Sequence, residues 1–365
     1  LAGIGLFAAL SGWSAIYQLT DMGRTVYSHR PGVCRRVHGP VQGAEDIEVI
    51  RAEGIAFITS GVLYLTPRRK NVKGKIFLFD FNQKLGASQL KATYLPITGD
   101  SFDPANFHPH GISHWVVNGV IRLYVINHDN EFNHSIEIFD YDPSGPALIH
   151  NTSLKHPTLI RPNNLVAVGP DKFIFTNDGV TQSLIGNLVE IVIHNILQCK
   201  CGTVYYWDGQ ESHLLLSKMA APNGIAYDAN HNKLFVSEIN HRRLHVYELS
   251  KNKRTATHLY TVDLHSACDN LFVHTDGSVF AGCHPLVIQI MRSIADCDGE
   301  KTSASQALRV QFDKDYKTAT LSEPYANDGT ELSGSTIVVL HNNQMLIGTI
   351  CKGLLHCEIA DPAVL

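Results

Sequence analysis

An all-β fold, a six-bladed β-propeller around a central channel, is what this sequence predicts, and three observations carry the prediction. From about residue 40 the chain is a succession of short runs that alternate apolar and polar residues between Gly, Asn and Asp turns. Six of these runs open on a short polar or glycine-bearing step, at Glu45, His110, Asn163, Asn223, Asn270 and Gly334. Those openings recur every 47 to 65 residues, a loose repeat whose units each hold several strands. One cysteine, Cys34, precedes the repeats and another, Cys357, ends them, so a bridge between the two would lock the ring where first and last blades meet.

The elements follow in order. Residues 1–20, "LAGIGLFAALSGWSAIYQLT", carry no charge and are long enough to act as a signal sequence or as a helix anchoring the chain in a bilayer. Residues 21–365 form the propeller. Its strands are read at "GKIFLFDF", "RLYVINH", "SIEIFDYD", "KFIFTND", "GTVYYW", "KLFVSEI", "RLHVYEL", "NLFVHT", "SVFAGCH", "STIVVLH", "QMLIGTI" and "GLLHCEI". The single helical pattern lies at 183–198, "SLIGNLVEIVIHNILQ", where apolar residues recur at helical spacing. That stripe faces the core or touches a membrane or partner.

Composition narrows the function. The 365 residues are 44% hydrophobic, and 30 basic against 34 acidic residues leave a net charge of −4, with no basic field for nucleic acid. Entry into the secretory pathway makes the eight cysteines candidate disulfides. Closing the long loop between Cys34 and Cys357 stabilises by about 4 to 5 kcal/mol in the chain-entropy account. Sequence does not pair Cys199, Cys201, Cys268, Cys283, Cys297 or Cys351. The sequons at Asn133 ("NHS") and Asn151 ("NTS") agree with lumenal or extracellular exposure as a glycoprotein, membrane-anchored or secreted.

In a propeller the innermost strands all start at one end of the channel, so their opening residues converge there. The converging set is Glu45, Asp46, His110, Asn163, Asn164, Asn223, Asp269 and Asn270. Asn and Asp commonly just cap turns. Their recurrence at the same step of four blades instead points to a metal site, and a donor set of hard oxygens suits Ca²⁺ where Zn²⁺ would call for His or Cys. The stretch "SFDPANFHPHGISHW" belongs to the same end, with Pro109 and Gly111 shaping a turn that aims His110 at the channel.

The motifs "GAEDIE", "PHGIS", "INH", "NNLVAVGP", "FTND", "NGI", "CDNL", "GCHP", "LSGSTI" and "LLHCEI", in that order from Cys34 to Glu358, resemble the paraoxonase/arylesterase family. The resemblance implies a six-bladed propeller holding two calcium ions, an uncleaved hydrophobic N-terminus, a Cys34–Cys357 disulfide and a free Cys283. It also implies hydrolysis of lactones and aryl esters, and of organophosphate esters. By position, Glu45, Asn163, Asn223, Asp269 and Asn270 match the ligands of the catalytic calcium. Asp46, Asn164 and the backbone carbonyl of Ile112 match those of a deeper, structural calcium. The family pattern has Asp where this chain has Asn164, so that site loses one charge and binds calcium more weakly.

His110 and His128 match the family's proposed dyad. His110 is the base that activates water and His128 orients it or relays its proton, while calcium polarises the ester carbonyl. No G-x-S-x-G elbow offers a serine at such a site, which favours attack by water. His284 matches a residue lining the site, His108 and His114 are read as facing solvent or a loop, and Tyr64 with "LTPRRKNVKG" matches a mobile segment over it. Some invertebrate relatives are membrane-anchored endoplasmic-reticulum proteins that assist ion-channel assembly, which gives the alternative function of a chaperone-like binder. The intact dyad and catalytic ligands favour the hydrolase.

Overall fold

The computed structural model describes residues 21, 23–62, 72–84, 89–183, 185–186, 189–190 and 200–364. The hydrophobic segment 1–20, Tyr64 with most of the basic loop, Cys199 and most of the helix expected at 183–198 lie outside the described residues. Among the described residues no helix is long and apolar enough to cross a membrane.

The chain is all-β, and its described residues form 25 strands in five hydrogen-bonded sheets. The first sheet opens with β2 (Ile47–Ile50), β3 (Ile55–Ser60), β4 (Lys75–Asp80) and β5 (Leu90–Tyr94). The second orders β6 (Ile97–Thr98), β10 (Ala147–Leu154), β9 (His134–Asp142), β8 (Val120–His128) and β7 (Pro109–Val117). The next three are meanders of four strands each: β11 (Pro162–Gly169), β12 (Lys172–Asn177), β13 (Gly202–Trp207) and β14 (Ser212–Met219); β15 (Pro222–Asp228), β16 (Lys233–Glu238), β17 (Arg243–Leu249) and β18 (Ala256–Asp263); and β19 (Ala267–Val273), β20 (Val279–His284), β21 (Ser305–Phe312) and β22 (Ala319–Asn327). The closing strands, β23 (Ser333–His341), β24 (Gln344–Lys352) and β25 (Leu354–Glu358), join the first sheet through β1 (Cys34–His38). β1 pairs antiparallel with β25 and parallel with β5, so one strand from the start of the chain welds its two ends into an eight-stranded sheet.

The innermost strands β2, β7, β11, β15, β19 and β23 each pack on the next, and β23 packs back on β2. Tight glycines make this approach possible. A Cβ on Gly111 would stand 2.7 Å from the Asn164 Cα, and one on Gly224 2.3 Å from the Asp269 carbonyl oxygen, so neither position has room for a larger residue. Hydroxyls fasten the neighbours: from second strands Thr176 donates to the Asn223 carbonyl at 2.7 Å and Ser237 to that of Asp269 at 2.8 Å, and from the inner strand β23 Thr336 donates to that of Glu45 at 2.7 Å. Apolar residues of adjoining sheets fill the spaces between them, as where Phe57 and Ile76 meet Leu123, Phe139 and Leu148.

Among the described residues three disulfides are present. Cys34 and Cys357 face each other across β1 and β25. Cys297 pairs with Cys351. Cys283 is bonded to Cys268, its partner across β19 and β20, and this corrects the expected free thiol: strand register places the two side by side, which a motif match alone does not reveal. The structure also adds a short amphipathic helix, α1 (Val287–Ile294), that the strand-dominated pattern concealed.

Candidate active site

Each inner strand begins at the same end of the ring, and the residues expected to converge do so there. Glu45, Asp46, His110, Asn163, Asn164, Asn223, Asp269 and Asn270 are all buried. Asn270 donates from Nδ2 to Glu45 Oε1 at 2.8 Å, linking two openings that are 225 residues apart. His110 Nε2 stands 3.4 Å from the same Glu45 oxygen, and His284 Nε2 stands 3.2 Å from Asp269 Oδ2. Asn163 donates to Asp178 Oδ2 at 3.2 Å.

Four oxygens of this cluster are buried without a hydrogen-bond partner: Glu45 Oε2, Asn163 Oδ1, Asn223 Oδ1 and Asp269 Oδ1. Buried acceptors left unpaired cost about 1–3 kcal/mol each, more when charged, so four together describe a place shaped for a cation. Burial raises the pKa of Asp269, as it does when negative charge lacks a counterpart. Among the described residues no three His, Cys, Asp or Glu side chains stand close enough to hold a metal by themselves. Glu45 and Asp269 need the carboxamides, and carboxylates completed by amide oxygens are a calcium-type donor set.

The deeper set behaves differently. Asp46 Oδ1 accepts from the Ile47 N–H at 2.9 Å, and Oδ2 accepts from the Ile112 N–H at 3.0 Å and from Asn164 Nδ2 at 3.3 Å. Asn164 also donates to Asn270 Oδ1, and its own Oδ1 accepts from the Leu165 N–H at 2.6 Å. Ile112 thus addresses Asp46 through its N–H rather than through the carbonyl expected as a ligand. These residues satisfy one another, and a second cation does not fit them as they stand. Burial, then the Glu45 charge, holds the Asp46 pKa well above the usual carboxylate range.

His110 lies near the start of β7 and His128 at the end of β8, with ring nitrogens 2.8 Å apart (His110 Nδ1 to His128 Nε2). A third histidine, missed in the sequence, extends the row: His134 Nδ1 is 2.8 Å from His128 Nδ1. Its signal was hairpin register, since β8 and β9 set His128 opposite His134, whereas the triplet "NHS" had been read only as a sequon. Burial, reinforced by the neighbouring histidines, drives the His128 pKa well below its ordinary value, and burial takes His134 down to about 4. For His110, burial pulls the pKa down, but the Glu45 carboxylate, then Asp269 and Asp178, outweigh it and raise the net value.

Of the two places expected for His108, solvent or a loop, it takes the loop. It is buried, with Nδ1 3.2 Å from the Gly61 carbonyl and Nε2 3.0 Å from Asn130 Oδ1, because the turn at Pro109 folds it under the β8–β9 loop. His114 is half-buried, its Nδ1 2.5 Å from Glu48 Oε1. Asn133 and Asn151 are both exposed. A cavity of about 970 Å³ is remote from all of this: it lies among the β11–β12, β13–β14 and β17–β18 turns, at the far end of the strands.

A ring of sheets whose strand ends gather carboxylates, carboxamides and a histidine row is the architecture of a propeller-like hydrolase. Solved structures share that fold, among them the luciferin-regenerating enzyme (TM-score 0.54, 11% identity, 89% of this chain and 94% of that one). The calcium-binding protein regucalcin from Agrobacterium tumefaciens is another (TM-score 0.53, 10% identity, 92% and 96%). The arylesterase family profile matches residues 26–359. Human serum paraoxonase/arylesterase 1 is 31% identical over 89% of this chain and 88% of its own length, and human serum paraoxonase/lactonase 3 is 29% identical over 98% of each. The chain belongs to the arylesterase family, and is an esterase/lactonase enzyme acting on small-molecule esters or lactones.

Proposed function

We propose that the chain is a six-bladed propeller that hydrolyses carboxylic esters, chiefly lactones and aryl esters, and organophosphate esters as well, by calcium-dependent attack of water at the mouth of its channel. The observation that carries this reading is the group of four unpartnered buried oxygens beside His110. Blade count rests on the six inner strands, the eight-stranded sheet supplying the first and last blades.

Glu45, Asn163, Asn223 and Asp269 would hold one calcium ion through their unpartnered oxygens, joined by Asn270 once its amide turns from Asn164 and Glu45, and the ion when bound would polarise the substrate carbonyl, stabilise the oxyanion and offset the carboxylate charge around His110. His128, kept neutral by burial, accepts from His110 Nδ1–H on its Nε2 and donates from its Nδ1 to His134. That polarity leaves the His110 Nε2 lone pair facing the channel, where it takes a proton from the attacking water. His284 holds Asp269, and Asp178 holds the Asn163 amide so that its oxygen faces the cluster. The Asp46–Asn164 set braces the floor by its own hydrogen bonds. The disulfides agree with an oxidising compartment, and residues 1–20 would deliver or anchor the chain there.

Lactone and aryl-ester hydrolysis is measured with and without chelator on the wild type and on His110→Gln. Activity should vanish on chelation, and His110→Gln should lower turnover by about 10² to 10⁴ while calorimetry still detects calcium binding. Wild-type rates in excess chelator would remove the metal from the reading, and a fully active His110→Gln would remove the base. A channel-assembly protein would keep its partner's surface expression in the same variant.

A further inference from the structure

The second sheet holds another row of reactive groups, on β9 and β10. Its centre is His150 on β10, whose side chain is fully buried. His150 Nε2 is 2.8 Å from Glu137 Oε2 on β9, and its Nδ1 is 3.1 Å from the Oγ of Ser101, an exposed residue between β6 and β7. Glu137 is itself buried and doubly held: Ser135 donates to its Oε1 at 2.5 Å and Ser153 to its Oε2 at 2.5 Å. The rings of Phe102 and Phe139 flank the imidazole, each with its centre 5.4 Å away, and fix its plane.

We propose that Ser101, His150 and Glu137 form a second, serine-based site able to accept the acyl or phosphoryl group of a small ester. Glu137 accepts from Nε2, so the single proton of a neutral ring sits there and Nδ1 offers its lone pair to the Ser101 hydroxyl. Nucleophile, base and orienting carboxylate then stand in the relation that activates a serine, regardless of order in the chain. Ser101 also lines a cavity of about 180 Å³, which admits an acyl group of a few heavy atoms; Lys155 lines it with positive charge, Asp103 and Asp129 with negative, and His134 of the channel row borders it too. As the Ser101 Oγ–carbon bond forms, the hydroxyl proton passes to His150 Nδ1. It leaves with the alcohol as the ester C–O bond breaks, and water then releases the acid by the reverse path.

This site needs no metal, so its test separates from that of the channel. A short-chain alkyl fluorophosphonate, which forms the Oγ–P bond and releases HF, is incubated with the full chain in calcium and in chelator. Because Asn133 lines the same cavity, the incubation is repeated after enzymatic removal of N-glycans. Peptide mass mapping should find one adduct, on Ser101, at the same rate with and without calcium. Ser101→Ala, an exposed change, should keep the melting temperature and lose the adduct, and His150→Gln should slow labelling at least about 100-fold. No adduct on Ser101 under conditions that fully modify a serine-hydrolase control would overturn the proposal. So would wild-type labelling of a folded His150→Gln protein.

Discussion

At the scale of single residues, position 164 does the most to set this chain apart. Its amide donates to Asp46 and Asn270, so a neutral side chain stands where a carboxylate would need a cation to hold the same neighbours together. Asn164→Asp removes those donors and faces Asp46 with like charge. Without calcium the variant should melt several degrees below the wild type, as expected for losing about 1–3 kcal/mol of buried hydrogen bonding. With calcium it should recover, and calorimetric stoichiometry should rise from one ion to two; unchanged stoichiometry would show that position 164 is no ligand in either form. The main cluster was legible in sequence, because the opening step of each repeat exposes its polar residues to a simple register argument. His134, Asp178 and Arg161 were not, since their roles depend on what lies across a strand pair: buried Arg161 pairs with Asp178 and with Glu190, contacts that no local spacing encodes.

Elements show the same division. Inner and second strands such as β8, β12 and β16 were read correctly because they are buried on both faces and rich in branched and aromatic residues. Outer strands such as β14 and β18 were not, because half-exposed residues dilute the alternation. Between elements the tight contacts fall on glycine, and Gly224→Ala tests what they are for. The added methyl would press on the backbone at Asp269 and Asn270, displacing the start of β19 from β15. Overpacking of this kind costs about 1–3 kcal/mol. Calcium affinity should fall together with stability, whereas an unchanged affinity would mean that β19 yields without moving its ligands.

For the whole molecule, acid sensitivity follows from histidines buried in neutral form. Burial takes His356 on β25, far from the channel, down to about 4, and its Nε2 is 2.8 Å from Gln344 Oε1. Its folded pKa lies below its unfolded one, so the unfolded chain binds the extra proton. The stability it contributes is complete above about pH 6.5 and is lost as pH falls toward 4, by at most about 3 kcal/mol. His356→Gln should flatten the fall of unfolding free energy with pH over that window, read from denaturant titrations at several pH values. An identical slope in the variant would place the acid sensitivity elsewhere.

The weld made by β1 has a further consequence during translation. β1 leaves the ribosome well before its antiparallel partner β25, whose Cys357 follows Cys34 by 323 positions. Until residues 354–358 emerge, β24 has an unpaired edge and β1 has only its short parallel contact with β5. Such edges invite pairing with other chains, so the nascent protein has to be shielded while the stretch between β1 and β25 is made. The Cys34–Cys357 disulfide, made from two thiols by the oxidants of its compartment, can form only after that, which makes this bond a chemical record that every blade was made before the ring was sealed.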